Sequence, residues 1–255
     1  MANMQTPKHP VLIACSHGTS SSEGQAAVNQ LRDEMRALRP ELDIREAYVD
    51  VQEPDLPEVV ASLPDGPAVI VPLLLSVGYH VKVDIAEAVR SRPNTFAAAP
   101  LGPDPRLAEL LQQRLEEARV LPGAAVVLAA AGSSDACAAV DVEELAAQLG
   151  ELRPGRIVVG YGASASPSVP EAVAEAQEDG AAPAVASYLL APGYFHDQLA
   201  KAEGAVVSAP LLPSRALAEI ALARYDDAAS RLQAPDPARD CGRACRPLVK
   251  ACARP

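Results

Sequence analysis

The sequence predicts an α/β fold in which two duplicated domains each carry a parallel sheet flanked by helices. Three observations lead there. Short apolar runs alternate with segments of helical periodicity, and the whole pattern starts again after Pro122-Gly123. The apolar residues are mostly Ala, Val and Leu, with two Phe and no Trp among 255 residues. Strand–helix alternation implies parallel strands covered by helices on both faces, and this composition suits such packing better than an aromatic-rich sandwich.

The elements follow in order. Val11 to Ser16 is an apolar run that stops at His17-Gly18, a buried strand feeding a loop. From Ser22 to Arg39, Val28, Leu31, Met35 and Leu38 recur at helical spacing, and Pro40 closes the element. Ile44 to Val51 reads as a strand, followed by a helix from about Pro54 that ends near Pro64. Ala68 to Leu75 is a second continuous apolar run. It empties into Ser76-Val-Gly-Tyr-His80, and a helix is expected from about Val83 to Arg90. Thr95 to Leu101 and Asp104 to Arg119 supply one more strand and helix.

The second half repeats these landmarks. Val126 to Ala131 matches the first strand and ends in Gly132-Ser-Ser-Asp135, Arg156 to Tyr161 matches the second, and Ala184 to Leu190 runs into Ala191-Pro-Gly-Tyr-Phe195 as the third runs into Ser76-Val-Gly-Tyr-His80. The spacings agree: 37 positions from His17 to Pro54 against 36 from Ala131 to Pro167, and 63 from His17 to His80 against 64 from Ala131 to Phe195. Three landmarks held in step indicate an internal duplication. The expected division is residues 1–122, residues 123–234 as a degenerate repeat, and a Cys/Arg/Pro tail over 235–255.

Composition excludes some functions. Acids outnumber bases 33 to 22, a net charge of −11, so the chain lacks the cationic surface that displaces counterions from nucleic acid. The polar start, Met1 to Lys8, precedes no apolar stretch long enough for a signal peptide or a membrane span, and the expected location is cytoplasmic. Five cysteines in no small-scaffold spacing are then expected as thiols. Cys15 and Cys137 read as small buried or loop residues. Cys241, Cys245 and Cys252 in the tail match no standard metal spacing.

In a parallel sheet, ligands bind beyond the carboxyl ends of the strands. His17, Asp50 and His80 fall at three such ends, and two of the four histidines in the chain are used there. Two imidazoles and a carboxylate suit Fe²⁺, Co²⁺, Ni²⁺ or Zn²⁺. Gly18 and Gly78 let the backbone approach a ligand. Each polar residue also has an ordinary reading: a strand-end histidine is often a surface residue, and Asp50 could cap the next helix.

The stretches Ala14-Cys-Ser-His17-Gly, Ala47-Tyr-Val-Asp50-Val-Gln-Glu-Pro54 and Val71-Pro-Leu-Leu-Leu-Ser-Val-Gly78-Tyr-His80-Val-Lys-Val-Asp84-Ile resemble the sirohydrochlorin chelatases, the ATP-independent class II chelatases of sirohaem and cobalamin synthesis. The resemblance covers Val11 to Leu232 and is most specific across Pro72 to Ile85. It implies a chelatase-like fold of two similar α/β domains with the tetrapyrrole between them. It further implies a lyase that inserts a divalent metal, Fe²⁺ or Co²⁺ with Ni²⁺ admissible, and needs no cofactor beyond that substrate ion. The resemblance gives His17 and His80 as metal ligands that deliver the ion, with Asp50 as third ligand or proton acceptor. Gly18, Gly78, Tyr79, Lys82 and His196 are expected at the substrate. Family members commonly carry an Arg after the first histidine motif where this chain has Thr19-Ser-Ser-Ser22, which leaves Lys82 and Arg45 as candidates to hold substrate carboxylates. Leu74, Leu75 and Leu190 are candidates to receive the macrocycle face.

Ala131, Ala163 and Phe195 stand where His17, Asp50 and His80 stand, so the second domain is expected to wall the cleft and hold no second metal centre. His196 falls one position past the register. Two other readings remain: a non-enzymatic metal or tetrapyrrole carrier, and an oxidoreductase resting on Gly160-Tyr-Gly162-Ala-Ser-Ala165, a relaxed dinucleotide pattern that lacks a following acid for the ribose.

Overall fold

The first and third apolar runs are buried at every strand position, as strands covered on both faces must be. The computed structural model describes residues 9–177, 183–199 and 205–232; the three tail cysteines lie outside these. The first half contains β1 (Val11–Ser16), β2 (Ile44–Tyr48), β3 (Ala68–Pro72) and β4 (Thr95–Ala97), ordered β2-β1-β3-β4. The second contains β5 (Val126–Ala130), β6 (Ile157–Tyr161), β7 (Ala184–Tyr188) and β8 (Val206–Val207), ordered β6-β5-β7-β8. Every strand pairing is parallel. The order reverses at β1/β3 and at β5/β7, the switch points beyond which such sheets open a ligand crevice.

The helices are α1 (Ser22–Leu38), α2 (Leu56–Ala61), α3 (Ala86–Ser91), α4 (Pro105–Glu117), α5 (Ala136–Leu152), α6 (Val169–Gln177), α7 (Tyr194–Leu199) and α8 (Arg215–Arg231). Side-chain caps start several of them: Ser21 accepts from the Gly24 N–H, Asp55 from Glu58, Asp104 from Arg106 and Asp135 from Cys137. Two boundaries differ from expectation. The second strand stops at Tyr48, because the chain turns sharply through Val51 at φ 62°. The helix after the third strand begins earlier, as a π-turn over Val81–Ile85 that runs into α3.

The terminal helix of each repeat crosses to the other. α4 packs on α5 and β7 of the second half, while α8 packs on α1 and β3 of the first. Each crossing is pinned by one arginine. Arg114 of α4 donates to the carbonyls of Pro210, Leu211 and Pro213, and Arg224 of α8 donates to those of Pro100, Leu101 and Pro103. Leu107, Leu111 and Leu115 of α4 and Leu217, Ile220 and Tyr225 of α8 join one continuous core with residues of both sheets. The boundary at residue 122 therefore divides sequence repeats, while the packing units interleave. No described helix is long and apolar enough to cross a membrane.

Candidate functional site

The carboxyl ends of both sheets face one cleft of about 640 Å³, inside the roughly 300–1,000 Å³ range of small-molecule sites. His17 follows β1 directly, and His80 lies at the head of the π-turn, a helix distortion that recurs at functional sites. The two imidazoles meet with ring centroids 4.7 Å apart and planes at 87°.

The partners of the two Nδ1 atoms point to the tautomer of each neutral ring. His80 Nδ1 lies 2.7 Å from Asp84 Oδ2, and His17 Nδ1 lies 3.3 Å from its neighbouring carbonyl on Gly18. Carboxylate and carbonyl oxygens accept, so both Nδ1 atoms donate and both Nε2 lone pairs are left for an electrophile. Asp84 thus orients His80, as carboxylates behind metal-bound histidines do.

The strand ends are held rigidly. Arg32 of α1 is fully buried and donates to Ala14 O and to the hydroxyls of Ser16 and Tyr48, fixing the residues just before His17. Gly18 has φ +93°, and a Cβ there would lie 2.2 Å from the carbonyl oxygen of Asp50, so only glycine fits. Burial pushes the adjacent Cys15 thiol up to about 12, which leaves it protonated and unsuited to metal ligation.

The second half holds the segment leading to His80. Tyr188 donates its hydroxyl proton to Leu75 O at 2.7 Å, and Val77 N–H donates to Asp141 Oδ2 at 2.8 Å. Burial raises the Tyr188 phenol well above its ordinary value, so it stays a donor.

Gly18, Gly78, Tyr79 and His196 line the cleft, as do Leu74, Leu75 and Leu190. His196 Nε2 lies 3.2 Å from Ser208 O. Lys82 stands outside the cleft lining, and its ammonium pairs with Asp135 at 2.8 Å and ties the two halves together. Arg45 pairs with Asp43 at 3.0 Å and lines only a small surface pocket elsewhere. Among the described residues, histidine is the sole ionisable cation former in the cleft lining; Thr19, Ser20, Ser133 and Ser134 supply neutral donors there.

Asp50 lies at the edge of the site. Its backbone N–H donates to His17 O, which places it beside the pair. Its carboxylate, however, accepts from the Val51 N–H at 2.8 Å and does not line the cleft. Among the described residues no group of three His, Cys, Asp or Glu suited to a metal forms. The expected triad is a pair in this structure.

The sequence gives no role to Asp84, Asp141, Tyr188 or Tyr194, which the structure brings to the site. Only Asp84 carried a local signal, its i+4 spacing from His80 on a helix.

This architecture and this chain have known counterparts. A sirohydrochlorin cobaltochelatase of Sulfolobus acidocaldarius is 28% identical over 118 residues, 44% of this chain and 94% of that protein. Two solved structures share the fold over 88% of the chain: SirB from Bacillus subtilis with Fe³⁺ (21% identity, 97% of its chain, TM-score 0.76) and the sirohydrochlorin chelatase SirB of Bacillus subtilis subspecies spizizenii with cobalt (20% identity, 96% of its chain, TM-score 0.71). A family model, CbiX, matches twice, over residues 11–118 and again over 125–228, one match per repeat, and the chain belongs to the CbiX family.

Proposed function

We propose that the protein is a sirohydrochlorin chelatase that inserts Fe²⁺ or Co²⁺ into the macrocycle. The observation that carries this reading is the perpendicular His17/His80 pair, both Nε2 atoms available, lining a mostly apolar cleft in a CbiX-family chain. Neutral imidazoles hold a borderline divalent ion while leaving coordination positions open for incoming nitrogens.

Each turnover replaces two pyrrole N–H protons by one metal ion. Four ring nitrogens bond the metal, the two Nε2–metal bonds break, and two protons leave. The metal is substrate, and the reading assigns no resident cofactor. Asp50 is the proposed third ligand or proton acceptor, recruited when the metal arrives by exchanging its bond to Val51 N–H for one in the cleft. Carboxylates of the macrocycle meet the hydroxyls of the two loops at the α1 and α5 N-termini, since Lys82 and Arg45 are engaged elsewhere.

The test is anaerobic insertion into sirohydrochlorin followed by absorbance, with Fe²⁺ and Co²⁺ run separately. Insertion well above the spontaneous rate, collapsing in His17→Ala and His80→Ala, is expected. A rate equal to the protein-free control, with macrocycle or ion still bound, would instead make the protein a carrier.

A further inference from the structure

The second half keeps the shape of the metal site, and at the three matched positions it carries none of the ligating groups. Gly132 repeats Gly18, with φ +91° and a Cβ position only 1.8 Å from Ala163 O, and Ser164 repeats Val51, with φ 57°. Ala163 N–H donates to Ala131 O as Asp50 N–H donates to His17 O. On this repeated backbone Ala131 replaces His17, Ala163 replaces Asp50 and Phe195 replaces His80.

The ring at the last position is retained in its setting. Tyr79 and His80 form an edge-to-face pair at 5.7 Å and 89°, and Tyr194 and Phe195 form one at 5.6 Å and 75°. Phe195 also has a seat of its own. A Cβ on Gly162 would lie 3.0 Å from Phe195 Cδ1, and the first half has Val49 at that position. The glycine that suggested a dinucleotide pattern makes room for an aromatic ring. Phe195 is 38% exposed and lines the cleft, so the ring is accessible from it.

We propose that Phe195 backs the macrocycle face opposite the histidine pair and keeps that face free of an axial ligand, so that the metal enters from one face and its product is released. This rests on the chelatase reading. A metal in a tetrapyrrole plane offers one axial position on each face, and imidazole is a strong axial ligand. His196, the imidazole of the second wall, is tied through Nε2 to Ser208 O, so the axial bond comes from the histidine pair and release breaks that last metal–Nε2 bond and no other. An imidazole at position 195 would bond the second axial position and hold the product six-coordinate between two walls. Phenylalanine keeps the flat apolar contact and removes the lone pair.

The experiment compares wild type, Phe195→His, Phe195→Met and Phe195→Leu, each checked for cooperative melting. The probes are sirohydrochlorin and its cobalt complex, titrated anaerobically. For Phe195→His the affinity for the cobalt complex relative to sirohydrochlorin rises about 10-fold or more, chiefly through slower dissociation, and the bound complex takes a six-coordinate absorption spectrum. Phe195→Met, close in volume and able to offer a thioether, moves the same way by less. Phe195→Leu shows neither change. Unchanged affinity ratio and spectrum in both folded His and Met variants overturn the proposal. Absence of metal insertion by the wild type in a single turnover overturns the chelatase reading instead, whatever the variants bind.

Discussion

The two repeats share a backbone and differ in chemistry, and that difference is concentrated in a few side chains. At matched strand ends the first half carries His17, Asp50 and His80, and the second carries Ala131, Ala163 and Phe195. Below the sheet the contrast continues. Arg32 is buried against Ser16 and Tyr48 in the first half, while the matching position of α5 is Ala146 beside Ala130. Buried cations are costly to hold, and this one occurs only under the strand end that bears a histidine. On the proposed reading the duplicated fold divides its labour, with one copy binding the ion and the other shaping the space. The half without ligands still acts on the site, because Tyr188 and Asp141 anchor the segment that ends at His80.

Several experiments would break or sharpen this contrast. The largest effect is expected from moving the ligands. Ala131→His combined with Phe195→His should raise Co²⁺ stoichiometry from one ion to two by isothermal titration, and a stoichiometry that stays at one would show that the repeated backbone alone does not make a site. The His17→Ala and His80→Ala variants should lose more activity than the roughly 10–100-fold typical of a supporting residue.

Next is the ionic clasp between the halves. Asp104 is buried and receives bonds from both Arg106 and Arg224. Burial by itself would raise its carboxyl, but the Arg106 hydrogen bonds and the Arg224 charge prevail and hold it below the usual range. Its contribution is therefore present above the unfolded carboxylate value and is lost as pH falls through the depressed folded value. Asp104→Ala should cost about 3 kcal/mol at neutral pH, measured by urea unfolding. That difference should shrink on acidification.

Smaller effects follow. Asp84→Ala should weaken Co²⁺ binding by about 10-fold without changing the melting temperature by more than a few degrees, which separates orientation of His80 from folding. Tyr188→Phe leaves Leu75 O without its donor and should lower Co²⁺ affinity by a few-fold, about 1 kcal/mol, although it touches no metal ligand. Asp50→Asn should change that affinity least, about 2–3-fold, because its carboxylate must first leave the Val51 N–H. An effect as large as that of the histidines would place Asp50 in the site at all times.

Much of this was legible in the sequence, and the reasons are physical. Buried parallel strands are continuous apolar runs, so β1, β3, β5 and β7 announced themselves, and the matching spacings exposed the duplication. Strand ends were readable as a place for chemistry, which picked out His17 and His80. What escaped was set by contacts distant in sequence. Lys82 looked available for an anion until Asp135, 53 positions away, was found at its ammonium. The orientation of Asp50 depends on the turn at Val51, whose positive φ no local pattern signals in a β-branched residue. The exchange of α4 and α8 left no trace in periodicity, since an amphipathic helix shows that it has a partner and not which sheet supplies it. Gly162 misled for the same reason: its absent side chain serves a ring 33 positions on.

The exchanged helices have a consequence for how a large flat substrate is handled. Two lobes joined by one linker can hinge, and a hinged cleft takes its width from its contents. Here each sheet is roofed by a helix belonging to the other repeat, so parting the lobes would strip apolar cover from both at once. Widening the gap between the walls therefore costs burial that a single-linker hinge would not lose. A frame braced in this way resists opening, and that resistance is what could bend a macrocycle so that its nitrogens turn toward the ion.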